Sequence, residues 1–430
     1  MSLEKQRQAT GPQYGLPARY GSRFFIDGVP ESKFPEAGMS APDAYQLIQE
    51  EMELDGDPGR NLATFVTTWM ELPAQMTITE NLHRNFIDHA EYPRTAEIER
   101  RCIQILADLF NAPGETTGAR CQGSSEAIML GALAAKWRWR KAREAAGKDT
   151  AKPNLVYGAD VHVVWDKFCR YFDVEPRTIP LEPGKYVIGP DDVEPLVDEN
   201  TIGVVAVLGT TFTGHADDVV GINDLLLRLR SEKGMDVPLH IDGASGAFVW
   251  PFLYPHSEWD FRLEQVRSIN ASGHKFGMVY PGIGWLIFRE RSDLAEDLVF
   301  KENYLGKTDD TFTLNFSTGS GMVLAQYYNF VRFGKTGYRR IMEIMQANAE
   351  TLAEDIKALG EFQIIGPDDE ALPLVAFNLA EEHAYDEFRH RLPARGGARV
   401  DGARLHDAAE CPGREDDASA RQAHAEPLAG

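Results

Sequence analysis

Four short apolar runs set the terms for this chain: NLVYG (154–158), IGVVAVLGTT (202–211), VPLHIDGA (237–244) and GIGWLIF (282–288). Each is of strand length, and helix-length segments separate them. Strands joined through a helix must cross over, and a crossover lays the next strand parallel to the last. Parallel sheets are covered on both faces, so their strands read as near-continuous apolar text, as these do. The intervening segments carry helical marks. EYPRTAEIERRCIQILADLFNAP (91–113) spaces its apolar residues on a helical period and stops at Asn-Ala-Pro. In GSSEAIMLGALAAKWRWRKAREAAG (123–147), Ser124 or Ser125 can cap a long helix, with Glu126 in its first turn. The expectation is an α/β chain built on a large, mostly parallel sheet.

At 430 residues there is room for two or three domains, or one large domain with an appendage. Residues 1–60 form a polar N-terminal segment, punctuated by Pro and Gly. Within it, APDAYQLIQEEMELDG (41–56) is amphipathic, the kind of stretch that docks on a partner subunit. Residues 61–330 read as the large domain, 331–388 as part of a smaller one, and 389–430 as an aberrant tail. The net charge of −22 repels phosphates and argues against a nucleic-acid partner. Cys102, Cys121, Cys169 and Cys411 are scattered, which indicates neither a metal site nor a disulfide framework. The first residues lack an apolar signal core, and no apolar run is long enough for a membrane span. A cytoplasmic enzyme is the expectation.

In a parallel sheet the C-terminal strand ends line the ligand crevice. HIDGASGA puts Asp242 at one such end, and NASGHKFG (270–277) puts Lys275 in a turn of small residues further on. Pyridoxal phosphate needs both groups: an amine to condense with its aldehyde, and a carboxylate to keep its pyridine nitrogen protonated so that the ring withdraws electrons. Its phosphate wants N–H and hydroxyl donors at a helix N-terminus, which Gly123, Ser124 and Ser125 offer. His274 adds charge or a hydrogen bond to the same phosphate. His162, in ADVHVVWDKF, can stack on the flat ring. Taken singly, Lys275 reads as a solvated surface charge, Asp242 as a turn former, the serines as a plain cap and His162 as a structural residue. Only their combination lifts them above that.

The combination has a likeness. GSSEAIMLGALAAKWRWR, HIDGASGAF and SGHKFG resemble the pyridoxal-phosphate-dependent glutamate decarboxylases, among the fold-type-I amino-acid decarboxylases. NLATFVTTWME, DENTIGVVAVLGTTFTG, WDFRLEQVRSINASGHKFG and NFSTGSGMVLAQYYNF do so as well, and the resemblance runs from about residue 20 to 388. It implies a seven-stranded, mixed but mostly parallel sheet, followed by a small α/β domain that is incomplete here. It implies that Lys275 binds the cofactor covalently, that Asp242 partners the pyridine nitrogen, and that Ala244 packs on a ring face. His162 would stack on the ring and Thr211 would bond near it. Ser124, Ser125, Ser272 and His274 would hold the phosphate, and Ser317 would reach the phosphate of a neighbouring subunit. Thr64, Phe65 and Asp88 would line the pocket for the substrate's side-chain carboxylate, although core packing explains Phe65 equally well. Asp88 beside a carboxylate needs one of the two protonated, which would suit acidic conditions. The implied reaction converts L-glutamate to 4-aminobutanoate and CO2, in a dimer or a dimer-built hexamer whose sites lie between subunits. Other readings are a decarboxylase of aspartate or cysteine sulfinate, an aminotransferase, or an inactive scaffold.

The tail departs from that likeness. From Arg389 to Gly430 there is one Val and three Leu, and no Ile, Met, Lys or aromatic residue, so no core face can form on either period. Codons for VDGARLHDAAECPGREDDASARQA can be chosen so that a neighbouring frame spells WMVPAYTMPPNARDVKMMRALVK. That hidden peptide has the Pro-Ala-Tyr and the arginine that the family carries near its active site. A frameshift beginning near Phe388 is the reading, with a poorly packed tail and an unclosed small domain as the expected result.

Overall fold

The apolar runs become the middle of one sheet. The computed structural model describes residues 32–380, apart from Ala37, Leu62, Ala63, Glu115, Pro183, 303–308, Pro367 and Asp368; the tail from Arg389 lies outside the described residues. Contacts divide the chain into two units that part between Ala63 and Thr64. In the first, α1 (Ala41–Met52) is capped by Ser40, whose hydroxyl accepts from the Asp43 amide at 3.4 Å. Its apolar side chains Tyr45, Ile48 and Met52 are exposed.

The second unit opens with α2 (Leu72–Glu80) and α3 (Pro93–Leu109). Then come β1 (Gly118–Cys121), α4 (Ser124–Ala145), β2 (Asn154–Gly158), α5 (Val164–Tyr171) and β3 (Glu175–Ile179). They are followed by α6 (Pro190–Val193), β4 (Thr201–Val207), α7 (Val219–Lys233), β5 (Leu239–Asp242), α8 (Trp250–Leu253), β6 (Val266–Ser272) and β7 (Gly284–Phe288). The hairpin β8 (Phe300–Glu302) and β9 (Asp309–Thr311) precedes the long α9 (Gly321–Ala358). The last described pair is β10 (Phe362–Ile365) and β11 (Ala376–Leu379).

The seven strands pair in the order β1-β7-β6-β5-β4-β2-β3. β7 is antiparallel to both neighbours and every other pairing is parallel. This is the mixed, mostly parallel seven-stranded sheet that the resemblance implied. α4 and α5 cover one face with Ile128, Leu133, Trp165 and Phe168 against Leu155, Ile202 and Val205. The other face packs Val204, Ala206, Ile241 and Ile269 against residues of α3, α7 and α9. Ile241 is fully buried there, and its replacement by Ala would cost about 2–5 kcal/mol. The expected boundary near residue 330 falls inside α9, which breaks instead at Gly334 (φ 58°), a left-handed conformation that glycine adopts without strain.

The register of β5 on β6 places a polar group inside this packing. His240 lies beside Ser268 and Asp242 beside Asn270. Side chains two apart on a strand share a face. These four polar residues therefore stand together, while Ile241 and Ile269 point the other way.

Candidate active site at the strand ends

Parallel strands send their loops out at one edge: 159–163 after β2, 208–218 after β4, 243–249 after β5 and 273–283 after β6. β1 runs the same way, so α4 starts at that edge too. Lys275 sits in the turn after β6, with its amide reaching the Ser272 carbonyl at 3.3 Å. Thr67 pins this turn from outside. Its amide donates to the His274 carbonyl at 2.8 Å and its hydroxyl to the Lys275 carbonyl at 2.9 Å. The small residues are sterically required: a Cβ on Gly273 would stand 2.4 Å from Gln326 Oε1, and one on Gly277 2.6 Å from the Gly273 carbonyl oxygen. Lys275 Nζ donates to Ser245 Oγ at 3.1 Å, and the Phe65 ring centre lies 5.7 Å from it. Desolvation lowers the Lys275 pKa, with the Asp242 charge pulling it back up. The net shift is downward, toward the neutral amine that attacks a carbonyl.

Asp242 is 4% exposed and accepts three N–H groups. Trp165 Nε1 donates to Oδ2 at 2.9 Å, while Asn270 Nδ2 and the Ala244 amide donate to Oδ1 at 3.0 and 3.2 Å. His162 stands at the solvent side of the same edge, its Nδ1 accepting from the Val164 amide at 3.3 Å. Partial desolvation lowers the His162 pKa, while Asp242 opposes that shift and Lys275 adds to it. Asp160, after β2, is also 4% exposed, and burial pushes its pKa up to about 6.

The start of α4 forms an anion cradle. Its N-cap is Gly123, which has no side chain to satisfy the first amides, and the helix dipole points its positive end here. Ser124 Oγ and Ser272 Oγ lie 2.6 Å apart, both buried, and Ser125 is exposed on the first turn. His274 donates from Nδ1 to the Ile283 carbonyl at 2.9 Å, which leaves its Nε2 free of that bond. A Cβ on Gly123 would stand 3.6 Å from His274 Cε1, and one on Gly284 2.4 Å from the Gly123 carbonyl carbon. Backbone amides, two hydroxyls and an imidazole around an uncapped helix start suit a phosphate.

A match to known proteins spans this whole edge. The family model described as the pyridoxal-dependent decarboxylase conserved domain matches residues 35–380. The chain belongs to the pyridoxal-dependent decarboxylase family. Glutamate decarboxylase 1 of Arabidopsis thaliana is 48% identical over 373 residues, covering 86% of this chain and 74% of that protein. Glutamate decarboxylase of Aliivibrio fischeri is 47% identical over 364 residues, covering 84% and 78%. Among solved structures, glutamate decarboxylase of Lactobacillus brevis superposes with a TM-score of 0.82 at 40% identity, covering 85% of this chain and 84% of that one.

Pyridoxal phosphate is the cofactor of this family member, and the residues present fit it: an amine, a buried carboxylate and a phosphate cradle along one sheet edge. The structure brings together Lys275, Asp242, Ala244, Ser272, Ser124 and His274, with Ser125 and His162 at the margin. Thr211 is half-buried in the loop after β4, where its neighbour Thr210 is the buried one. Thr64, Asp88 and Ser317 stand otherwise. Thr64 Oγ1 accepts from the Val66 amide at 3.1 Å, and Asp88 Oδ1 from the Glu91 amide at 3.0 Å. Ser317 takes a bond from Asn85 Nδ2 at 3.3 Å, on a segment that Glu126 ties to α4 through the Leu314 amide at 2.9 Å. No described hydrogen bond joins these three to Lys275.

Sequence reasoning passed over Ser245, Trp165, Asn270 and His240. Asn270 had a signal in plain view, since it lies two residues before Ser272 on a strand whose alternate residues share a face. Trp165 had none, because only the packing of α5 on the sheet aims its indole at Asp242.

Proposed function

We propose that this chain decarboxylates L-glutamate to 4-aminobutanoate and CO2 with pyridoxal phosphate. One observation carries the reading: Lys275 in the turn after β6 and the donor-held carboxylate of Asp242 at the end of the adjacent β5 share one sheet edge, in a chain nearly half identical to known glutamate decarboxylases. Lys275 would hold the cofactor covalently, Asp242 would face its ring nitrogen, and His162 and Ala244 would flank the ring. Ser124, Ser125, Ser272, His274 and Thr211 would hold the phosphate and its surroundings. Held by these residues, pyridoxal phosphate would supply an electron sink for the pair left at the substrate's Cα when the α-carboxylate leaves as CO2, with Asp242 keeping its ring nitrogen protonated. The chain's own part is to orient that carboxylate, to keep water from the Lys275 amine with Phe65, and to return a proton to Cα.

The selection of glutamate falls to Thr64, Phe65 and Asp88. Exposed Trp69, Leu72, Met76 and Leu314 lie in the segments that carry Thr64 and Ser317 or next to them, the apolar surface that a second copy of the chain would cover. Assembly as a dimer or a dimer-built hexamer, with Ser317 reaching a neighbour's phosphate, belongs to the same proposal. So does a cytoplasmic setting; Cys102, Cys121 and Cys169 are buried free thiols, and among the described residues no helix is long and apolar enough to cross a membrane.

The test is a product assay on the purified chain with added cofactor. L-Glutamate should give 4-aminobutanoate and CO2 in equal amounts. Aspartate, one methylene shorter, should fall behind in kcat/KM by roughly tenfold or more. Faster turnover of aspartate or cysteine sulfinate would overturn the substrate assignment. A yellow chain that turns over none of them would favour the scaffold reading.

A further inference from the structure

Behind Asp242 a file of polar side chains runs back along the sheet. His240, Ser268 and Asn270 are all buried on the face beneath α4 and α5, where apolar residues would otherwise pack. His240 Nδ1 is 2.7 Å from Ser268 Oγ, and its Nε2 is 2.8 Å from Asn270 Oδ1. Asn270 Nδ2 in turn lies 3.0 Å from Asp242 Oδ1.

The chemistry of the groups fixes the direction of every link. A carboxylate only accepts, so Asn270 gives it the amide NH2 and turns its own carbonyl oxygen to His240. That oxygen only accepts, so the hydrogen sits on His240 Nε2. Burial lowers the His240 pKa, which keeps the ring neutral and leaves Nδ1 to accept from the Ser268 hydroxyl. Hydroxyl, imidazole, amide and carboxylate then all point one way. Without the imidazole, the Asn270 amide could turn over and present oxygen to oxygen at Asp242.

We propose that His240 is a positioning residue for Asp242: through Asn270 it ensures that the carboxylate meets only donors and stays aimed at the ring nitrogen of pyridoxal phosphate. This rests on the reading that Asp242 faces that nitrogen. The imidazole is seated by two helices. Trp165 of α5 meets it edge-to-face with ring centres 5.2 Å apart. Gly131 of α4 leaves it room, since a Cβ there would come within 3.1 Å of His240 Cε1 and 3.2 Å of Nδ1. A Gly131→Ala methyl would press on the ring, and on Leu286 Cδ1 at 3.2 Å, from α4 and away from the cofactor edge.

The experiment measures binding of two cofactors to the full chain stripped of its own: pyridoxal phosphate, and its deaza analogue with carbon in place of the ring nitrogen. His240→Leu should weaken pyridoxal phosphate by about tenfold, the scale on which outer hydrogen-bond partners tune a bound group. The analogue should change by no more than about twofold, the spread of uncoupled changes. His240→Gln, which keeps an N–H near the position of Nε2, should recover most of the loss, and Gly131→Ala should show a smaller loss with the same selectivity. Equal weakening of both cofactors, or equal loss in the Leu and Gln variants, would overturn the proposal. If His240→Leu does not fold, Gly131→Ala decides by the same criterion. Asp242→Asn separates the two levels. If it does not distinguish the cofactors, the assignment of Asp242 itself falls. If it does and neither His240→Leu nor Gly131→Ala does, only the role of His240 falls.

Discussion

The floor of the site and its rim are built differently. On the floor, Asp242, Asn270, Trp165 and the Ser124–Ser272 pair are buried and close their hydrogen bonds within one chain. On the rim, Asp88 and Ser317 bond to nearby loop residues, Ser317 is exposed, and Trp69 stands 71% exposed and Leu314 54%. A floor made by strand register needs nothing beyond the fold. A rim of loops bearing apolar surface gains its order from whatever covers it. The lysine, carboxylate and helix-start half of the site is thus formed within the single chain, while the substrate pocket and the Ser317 contact to a neighbour's phosphate are the parts that we assign to assembly.

The comparison breaks hardest at Lys275. Lys275→Ala should abolish steady-state turnover and the visible absorbance of the bound cofactor, because no other described lysine shares the turn or the Asp242 neighbourhood; substantial remaining decarboxylation would remove Lys275 from its role. Asp242→Asn should bind the cofactor but lose roughly a hundredfold or more in kcat, as when a preorganised charge is taken from a reacting centre. An unchanged kcat would move the electron-sink assignment elsewhere.

The rim answers to a mixing experiment. Lys275→Ala and Asp88→Ala, each inactive alone, should regain activity when their subunits exchange, because one of the two sites in a mixed dimer would carry neither change. Random pairing would restore roughly a quarter of the wild-type level. Activity that stays absent after proven exchange would return Asp88 to its own chain's site.

The smallest effect concerns Asp160, whose pKa burial raises from 3.8 to about 6. A carboxyl with a raised folded-state pKa adds stability in full below its unfolded value, and that contribution is lost as pH rises through about 6. Asp160→Asn should therefore flatten the decline of the cofactor-free chain between these values and stabilise it at neutral pH by roughly 1–3 kcal/mol. Urea midpoints measured across that range would show it, and parallel curves for the two proteins would dismiss a buried neutral Asp160.

The floor was legible in the sequence and the rim was not. Asp242 and Lys275 could be read because strand ends and small-residue turns are local features, and the start of α4 could be read from Gly123 and its serines. Trp165 and His240 escaped because their roles arise from helix packing and from the register of β5 on β6, which no single segment displays. The rim residues came from resemblance alone. Thr64, Asp88 and Ser317 sit in irregular loops without a period, and their bonds within the chain say nothing of a substrate.

The most direct measurement traps the cofactor where it is bound. The holoprotein is reduced with borohydride and digested, and the modified peptide is identified by mass. The account predicts a reduced pyridoxyl group on Lys275 in the peptide containing SGHKFG, and none on the Lys275→Ala chain. A label on another lysine, or a yellow protein that yields no labelled lysine, would contradict it.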